Sequence, residues 1–231
     1  MLQLDHVQSD SDGFRLSADL TLPDTGRIAV IGPSGAGKST LLDLIAGFRA
    51  PSAGRIRLNG QDITSLPPAR RPVSILFQDN NLFPHLSVGS NLMLALRPRG
   101  GRTRPEDHSR IENALHAVGL DQMGNRRPAT LSGGQQSRAA LARVLIQARP
   151  VLLLDEPFSA LGPALRAEML GVVQDVSGKI GGLTIMVTHD PHGARKFADQ
   201  TVLVADGVAH TPQDTESLFT DPPPALRAYL G

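Results

Sequence analysis

The spacing of apolar residues changes period along this chain, and the changes divide it into segments. From Leu2 to Leu22 apolar positions alternate loosely with polar ones, as in half-buried strands of a small antiparallel sheet. The continuous run Arg27-Ile28-Ala29-Val30-Ile31 predicts a buried strand, and Leu41 to Ala46 a helix. Residues 53–63 alternate with period two around Asn59-Gly60, a strong hairpin signal. Pro67-Pro68-Ala69-Arg70-Arg71-Pro72 cannot be regular structure, and the strand-like run Val73 to Phe77 follows, ending at Gln78.

Between about Val88 and Ala148 the period becomes helical. Helices are predicted over Val88 to Leu96, over Pro105 to Val118 with proline at the first position, and from near Ser132 to about Ala148. Short apolar runs then return at Val151 to Leu154, Thr184 to Val187 and Thr201 to Val204, with helical segments between them. That alternation predicts an α/β fold with a mostly parallel sheet covered by helices on both faces, a small antiparallel β part and an inserted helical part. At 231 residues one domain, 1–231, is expected, with a core of 1–86 and 149–231 and a helical subdomain of about 87–148.

Composition narrows the partners. Twenty-three Lys plus Arg against 22 Asp plus Glu leave a formal charge of +1, so nothing in the balance calls for nucleic acid or an anionic membrane. Arg97, Arg99, Arg102 and Arg104 carry no interleaved aromatic residue, which favours a solvated loop over a nucleic-acid patch. There is no cysteine, which excludes disulfides and thiolate metal sites. No apolar run approaches the roughly 20 residues that span a bilayer, so a membrane role is expected to run through a partner.

The chemistry centres on Gly32-Pro33-Ser34-Gly35-Ala36-Gly37-Lys38-Ser39-Thr40, a glycine, four residues, then Gly-Lys-Ser, between a predicted strand and a predicted helix. Gly35 and Gly37 let backbone amides point inward as a nest for phosphate at the positive end of the helix. Lys38 would reach the β- and γ-phosphates, and the Ser39 hydroxyl would serve Mg²⁺. An ordinary glycine-rich turn is the alternative, and the strand–loop–helix context argues against it. Asp155-Glu156 ends a buried run, where the strand pleat sends successive side chains to opposite sides. Asp155 is expected to hold Mg²⁺ and Glu156 to orient the attacking water.

Leu131-Ser132-Gly133-Gly134-Gln135 resembles the signature motif of the ATP-binding cassette ATPases. The order of motifs is similar to that family's throughout: the phosphate loop, Gln78 as the Q-loop glutamine, the signature, Asp155-Glu156, and His189 as the switch histidine. The resemblance implies a phosphate-loop NTPase core binding ATP with Mg²⁺. It gives Glu156, His189 and Gln78 catalytic roles, Ser39, Gln78 and Asp155 the metal, and Ser132, Gly133, Gly134 and Gln135 the γ-phosphate held by a second copy. It therefore also implies a head-to-tail homodimer. The signature residues are in addition a favourable helix N-terminus, and a cap without ligand stays open. His192 follows His189 by three residues, but nothing completes a zinc set.

Within the family, Ile45-Ala46-Gly47-Phe48, Arg70-Arg71-Pro72-Val73-Ser74 and Asn80-Asn81-Leu82-Phe83 resemble the ATP-binding subunits of bacterial thiamine importers. That implies a peripheral subunit on the cytoplasmic face of the cell membrane. Its partners would be integral permease subunits and, indirectly, a periplasmic or extracellular solute-binding protein. Another solute, such as a polyamine or metal ion, and a soluble cassette ATPase are the alternatives. Leu82 and Phe83 are read either as a docking surface or as a buried pair. The sequence departs from the family at Gly162, where Asp is usual, and at Gln136-Ser137-Arg138. It also lacks an adenine-stacking aromatic residue in Ser9-Asp10-Ser11-Asp12, leaving Phe14 as the nearest candidate and the lone tyrosine, Tyr229, far along the chain.

Overall fold

Strands β1 (Leu2–Ser11) and β2 (Phe14–Leu22) pair antiparallel, with Leu2, Leu4 and Leu16 turned fully inward as the alternation predicts. Their register slips between Leu4 and Val7, where His6 takes φ 48° and bulges the strand. Strand β3 (Gly26–Ile31) leads into the glycine-rich loop and helix α1 (Lys38–Ala46). Strands β4 (Ala53–Leu58) and β5 (Gln61–Asp62) are joined by Asn59-Gly60 at φ 50° and 79°, the positive values that a two-residue turn requires. β6 (Val73–Leu76) follows the proline-rich stretch. The computed structural model describes residues 1–11, 13–77, 81–98, 100–159 and 161–230. Gln78, expected at a metal and catalytic position, lies outside them.

Three helices, α2 (Val88–Leu96), α3 (Pro105–Ala117) and α4 (Gly133–Gln147), pack on one another and bury Leu92, Ile111, Leu115 and Leu141. The α/β alternation then resumes with β7 (Val151–Asp155), α5 (Pro163–Ile180), β8 (Leu183–Val187), α6 (Pro191–Phe197) and β9 (Gln200–Ala205). Short elements close the chain: β10 (Val208–Ala209), β11 (Gln213–Asp214), α7 (Thr215–Thr220) and α8 (Pro224–Leu230).

The strand order is β5-β4-β1-β2-β10-β9-β3-β8-β7-β6, with β11 beside β9. From β9 to β6 the pairs are parallel. β10 runs parallel to β2 and antiparallel to β9, so the antiparallel arm is continuous with the parallel sheet. Neighbouring residues of one strand serve two cores: Leu152 and Leu154 pack toward α4 and α5, Val151 and Leu153 toward α1 and the antiparallel arm. Each fully buried leucine contributes about 1.5–3 kcal/mol. Helices thus cover both faces, and α1 and α4 lie on opposite ones. The carboxyl ends of β3, β7 and β8 feed residues 32–38, 156 and 189 to one edge, where parallel α/β sheets place ligands.

Candidate active site

The loop after β3 is shaped by two glycines. A Cβ on Gly32, at φ 151°, would lie 1.9 Å from the Val204 carbonyl oxygen. Gly37, at φ 107°, caps α1 in the left-handed region, and a Cβ there would meet the Phe14 ring at 2.9 Å. Pro33, Ser34, Gly35 and Ser39 are exposed, whereas Lys38 is buried. The Lys38 ammonium donates to the carbonyls of Gly32 and Pro33, both at 2.8 Å. Burial pushes its pKa down, while the charges of Glu156 and Asp155 pull it up.

Ser39 Oγ donates to Asp155 Oδ1 at 3.4 Å, joining the first turn of α1 to the end of β7. Burial raises the Asp155 pKa most, with the Ser39 hydrogen bond opposing it and the charges of Glu156 and Asp43 adding to it. A hydroxyl and a half-buried carboxylate converging beside Glu156 and Asp43 are hard oxygen donors that suit Mg²⁺. Glu156 turns the other way, but not through the pleat. It lies past β7 in the left-handed region at φ 44°, with its N–H on the Val187 carbonyl at 3.1 Å. That turn carries its carboxylate to His189, Oε2 to Nδ1 3.0 Å. His189 follows β8, whose extension is fixed where Thr188 N–H meets the Val30 carbonyl at 3.2 Å.

Lys38, Ser39, Asp155, Glu156 and His189 are therefore brought to one edge, and the signature is not. Ser132 caps α4: its Oγ accepts from Gln135 N–H at 3.3 Å, and Gln135 Oε1 accepts from Ser132 N–H at 3.0 Å. Ser132 and Gly133 are exposed. No hydrogen bond among the described residues joins 131–135 to 32–40. Gly162 is the N-cap of α5, exposed and without a side-chain cap. Phe14 lies over Gly37 and, with Arg15, Pro33, Gly35 and Asp206, lines a cleft of about 330 Å³ beside the loop.

Two residues with no local sequence signal complete the surroundings. Arg166 on α5 donates to the carbonyls of Ser159 and Leu161, both at 3.3 Å, and lies 3.7 Å from the Asp190 carboxylate. Tyr229, distant in sequence, donates its hydroxyl to the His189 carbonyl at 2.8 Å. Neither the Arg166–Asp190 nor the Tyr229–His189 contact follows from spacing, because each joins elements distant in the chain that only the fold brings together.

Comparison with known proteins shows the family of the chain. The sequence profile of the family described as "ABC transporter" matches residues 17–159. "Thiamine import ATP-binding protein ThiQ" of Cereibacter sphaeroides is 58% identical over 231 residues, covering 100% of both chains. The dimeric ATP-binding cassette MJ0796, in a post-hydrolysis state bound to ADP and Pi, superimposes with a TM-score of 0.76 at 27% identity, covering 93% of this chain and 99% of that one. The cassette MJ1267 in its ADP conformation shares the fold, with a TM-score of 0.89 at 21% identity over 100% and 98% of the two chains. A profile that takes in most of the sequence, together with a relative matched from end to end, means that this chain belongs to the ABC transporter family.

Proposed function

We propose that this chain is the ATP-hydrolysing subunit of an importer and energises thiamine uptake through a membrane permease. The observation that carries the ATPase reading is the meeting of two pairs, Ser39 with Asp155 and Glu156 with His189, on either side of the Lys38 loop. Thiamine as cargo is supported by the relative named for thiamine import that matches the full length.

In this reading the loop amides and Lys38 hold the β- and γ-phosphates, the ammonium exchanging its two carbonyl acceptors for phosphate oxygens. Ser39 and Asp155 would hold Mg²⁺, and Gln78, by the resemblance to the family, would add a ligand. The ion, when bound, neutralises charge on the transferring phosphoryl group. Glu156 orients the attacking water and takes its proton, and His189 leaves its Glu156 contact to meet the γ-phosphate. Phe14 is the stacking surface for adenine, reached from β2.

The exposed Ser132 tip belongs to a helix on the face opposite α1, so one copy offers two half-sites. Two copies arranged head to tail would complete both, each signature, including Gly134 and Gln135, meeting the triphosphate of the other. The domain reads as one unit, with residues 87–148 as the inserted helical part. Among the described residues no helix is long and apolar enough to cross a membrane. A peripheral position under a permease at the cytoplasmic face follows from the role. Between core and helical part lies a groove of about 590 Å³, lined among others by Phe48, Phe77, Leu82, Phe83 and Arg143, that fits a short helix of that permease.

Glu156→Gln tests the assignment. It should retain ATP binding, accumulate a dimer on size exclusion with Mg-ATP, and lower turnover by roughly 10²-fold or more. Unchanged turnover would remove Glu156 from its role. Capture of DNA or ribosomes in place of a permease would sink the importer reading.

A further inference from the structure

The backbone of His189 is clasped from two sides. On one side, Asp190 N–H donates to Thr188 Oγ1 at 3.0 Å, and the Asp190 carboxylate accepts from His192 N–H at 3.0 Å. The same carboxylate lies 3.7 Å from Arg166. These contacts fix the residue after the histidine. On the other side the His189 carbonyl itself has, among the described residues, a single side-chain donor, the Tyr229 hydroxyl at 2.8 Å. Tyr229 comes from α8, which is fastened to the body through Leu226, 0% exposed, in the core that also holds Phe197 and Ala194 of α6.

We infer that Tyr229 is a positioning residue for hydrolysis: by holding the His189 carbonyl it sets the direction in which the imidazole leaves the backbone, toward Glu156. The role rests on the assignment of His189 made above. The main-chain torsions of a residue fix the direction of its Cα–Cβ bond, and a hydrogen bond to its carbonyl restrains the adjoining peptide plane. The His189 side chain is exposed, so packing does little to orient it. Among the described residues its one side-chain partner is Glu156, the group from which it must part when triphosphate occupies the loop. The Tyr229 bond does not depend on that exchange, because it grips the main chain. Burial, followed by the negative charges of Glu156 and Asp190, raises the phenol pKa, so the hydroxyl keeps the proton it donates.

The test uses the full chain, with steady-state ATPase and thermal unfolding measured for the unaltered protein, Tyr229→Phe, Leu226→Ala and His189→Ala. Tyr229→Phe keeps the ring and removes the donor. It should lower kcat about 3- to 10-fold, with KM for Mg-ATP within about twofold and Tm within about 2 °C. Leu226→Ala, which loosens α8, reports what a purely structural loss looks like, a fall in Tm. In the nucleotide-free protein at a fixed pH, the ring chemical shifts of His189 followed by NMR should move in Tyr229→Phe as the imidazole leaves its place beside Glu156, and those of His210 should not. Tyr229→Phe with unaltered kcat overturns the proposal, as does a kcat loss with the His189 ring shifts unmoved. If His189→Ala turns over ATP at full rate, the underlying site assignment fails instead, and this role falls with it.

Discussion

Asp155 carries a stability cost for its position. Its carboxyl is half-buried, and that burial first, then the charges of Glu156 and Asp43, hold its pKa above the ordinary value, against the hydrogen bond from Ser39 and the charge of Lys38. Because the folded-state pKa lies above the unfolded one of about 3.9, ionisation opposes folding. The favourable contribution is complete below the unfolded value and is lost as pH rises through the raised one. Asp155→Asn should therefore raise the Tm of the nucleotide-free protein at pH 7 by about 2 °C or more, shrink that gain toward pH 4, and abolish ATPase activity. Scanning calorimetry at the two pH values decides it. The residue types at this site were legible, since Lys38, Ser39, Asp155 and His189 come from spacing and motif order. The direction of Glu156 was not, because a left-handed glutamate leaves no trace in a period-two pattern.

At the level of elements, two neighbouring helices begin differently. α4 opens with a reciprocal cap from Ser132 and Gln135, whereas α5 opens at Gly162 with none. A Cβ on Gly162 would meet nothing within 4 Å, and its φ of −64° and ψ of 159° suit any cap residue. Gly162→Asp should stabilise the fold by a few tenths of a kcal/mol, leave ATP affinity unchanged, and alter the cooperativity of hydrolysis. Denaturant melts and ATPase titrations read the two effects separately. Helix periodicity gave α2 with both its ends and α3 and α4 to within a residue, and in α3 and α4 the signal comes from a polar face turned to solvent over several turns. β10 and β11, of two residues each, are too short to show a period, yet β10 joins the antiparallel arm to the parallel strands. Pro224 starts α8, where a missing N–H costs nothing.

Over the whole molecule, the phosphate loop and the groove are connected by hydrogen-bonded backbone. Arg71, 1% exposed, donates to the carbonyls of Leu44 and Ile45 in the last turn of α1 and to those of Leu66 and Thr64. Arg149 donates to the carbonyls of Arg71 and Val73, and Ser74 Oγ to Gln147 at 2.7 Å, so β6 is tied both to α1 and to the end of α4. Phe48 and Phe83 stand at the groove's rim, 55% and 48% exposed, while Leu82 packs partly against the core. The expected pair is thus divided between rim and interior. Phe83→Asp should weaken capture of the chain by its permease in detergent at least tenfold, a difference that co-purification would detect.

The Lys38 ammonium, seated on two carbonyls of its own loop, has one more consequence. A loop that supplies its own lysine with acceptors resists slackening, since that ammonium always has a counterpart within reach. Discharging spent nucleotide is then an exchange of one set of oxygens for another, and each cycle starts from a loop that needs no refolding before the next ligand arrives.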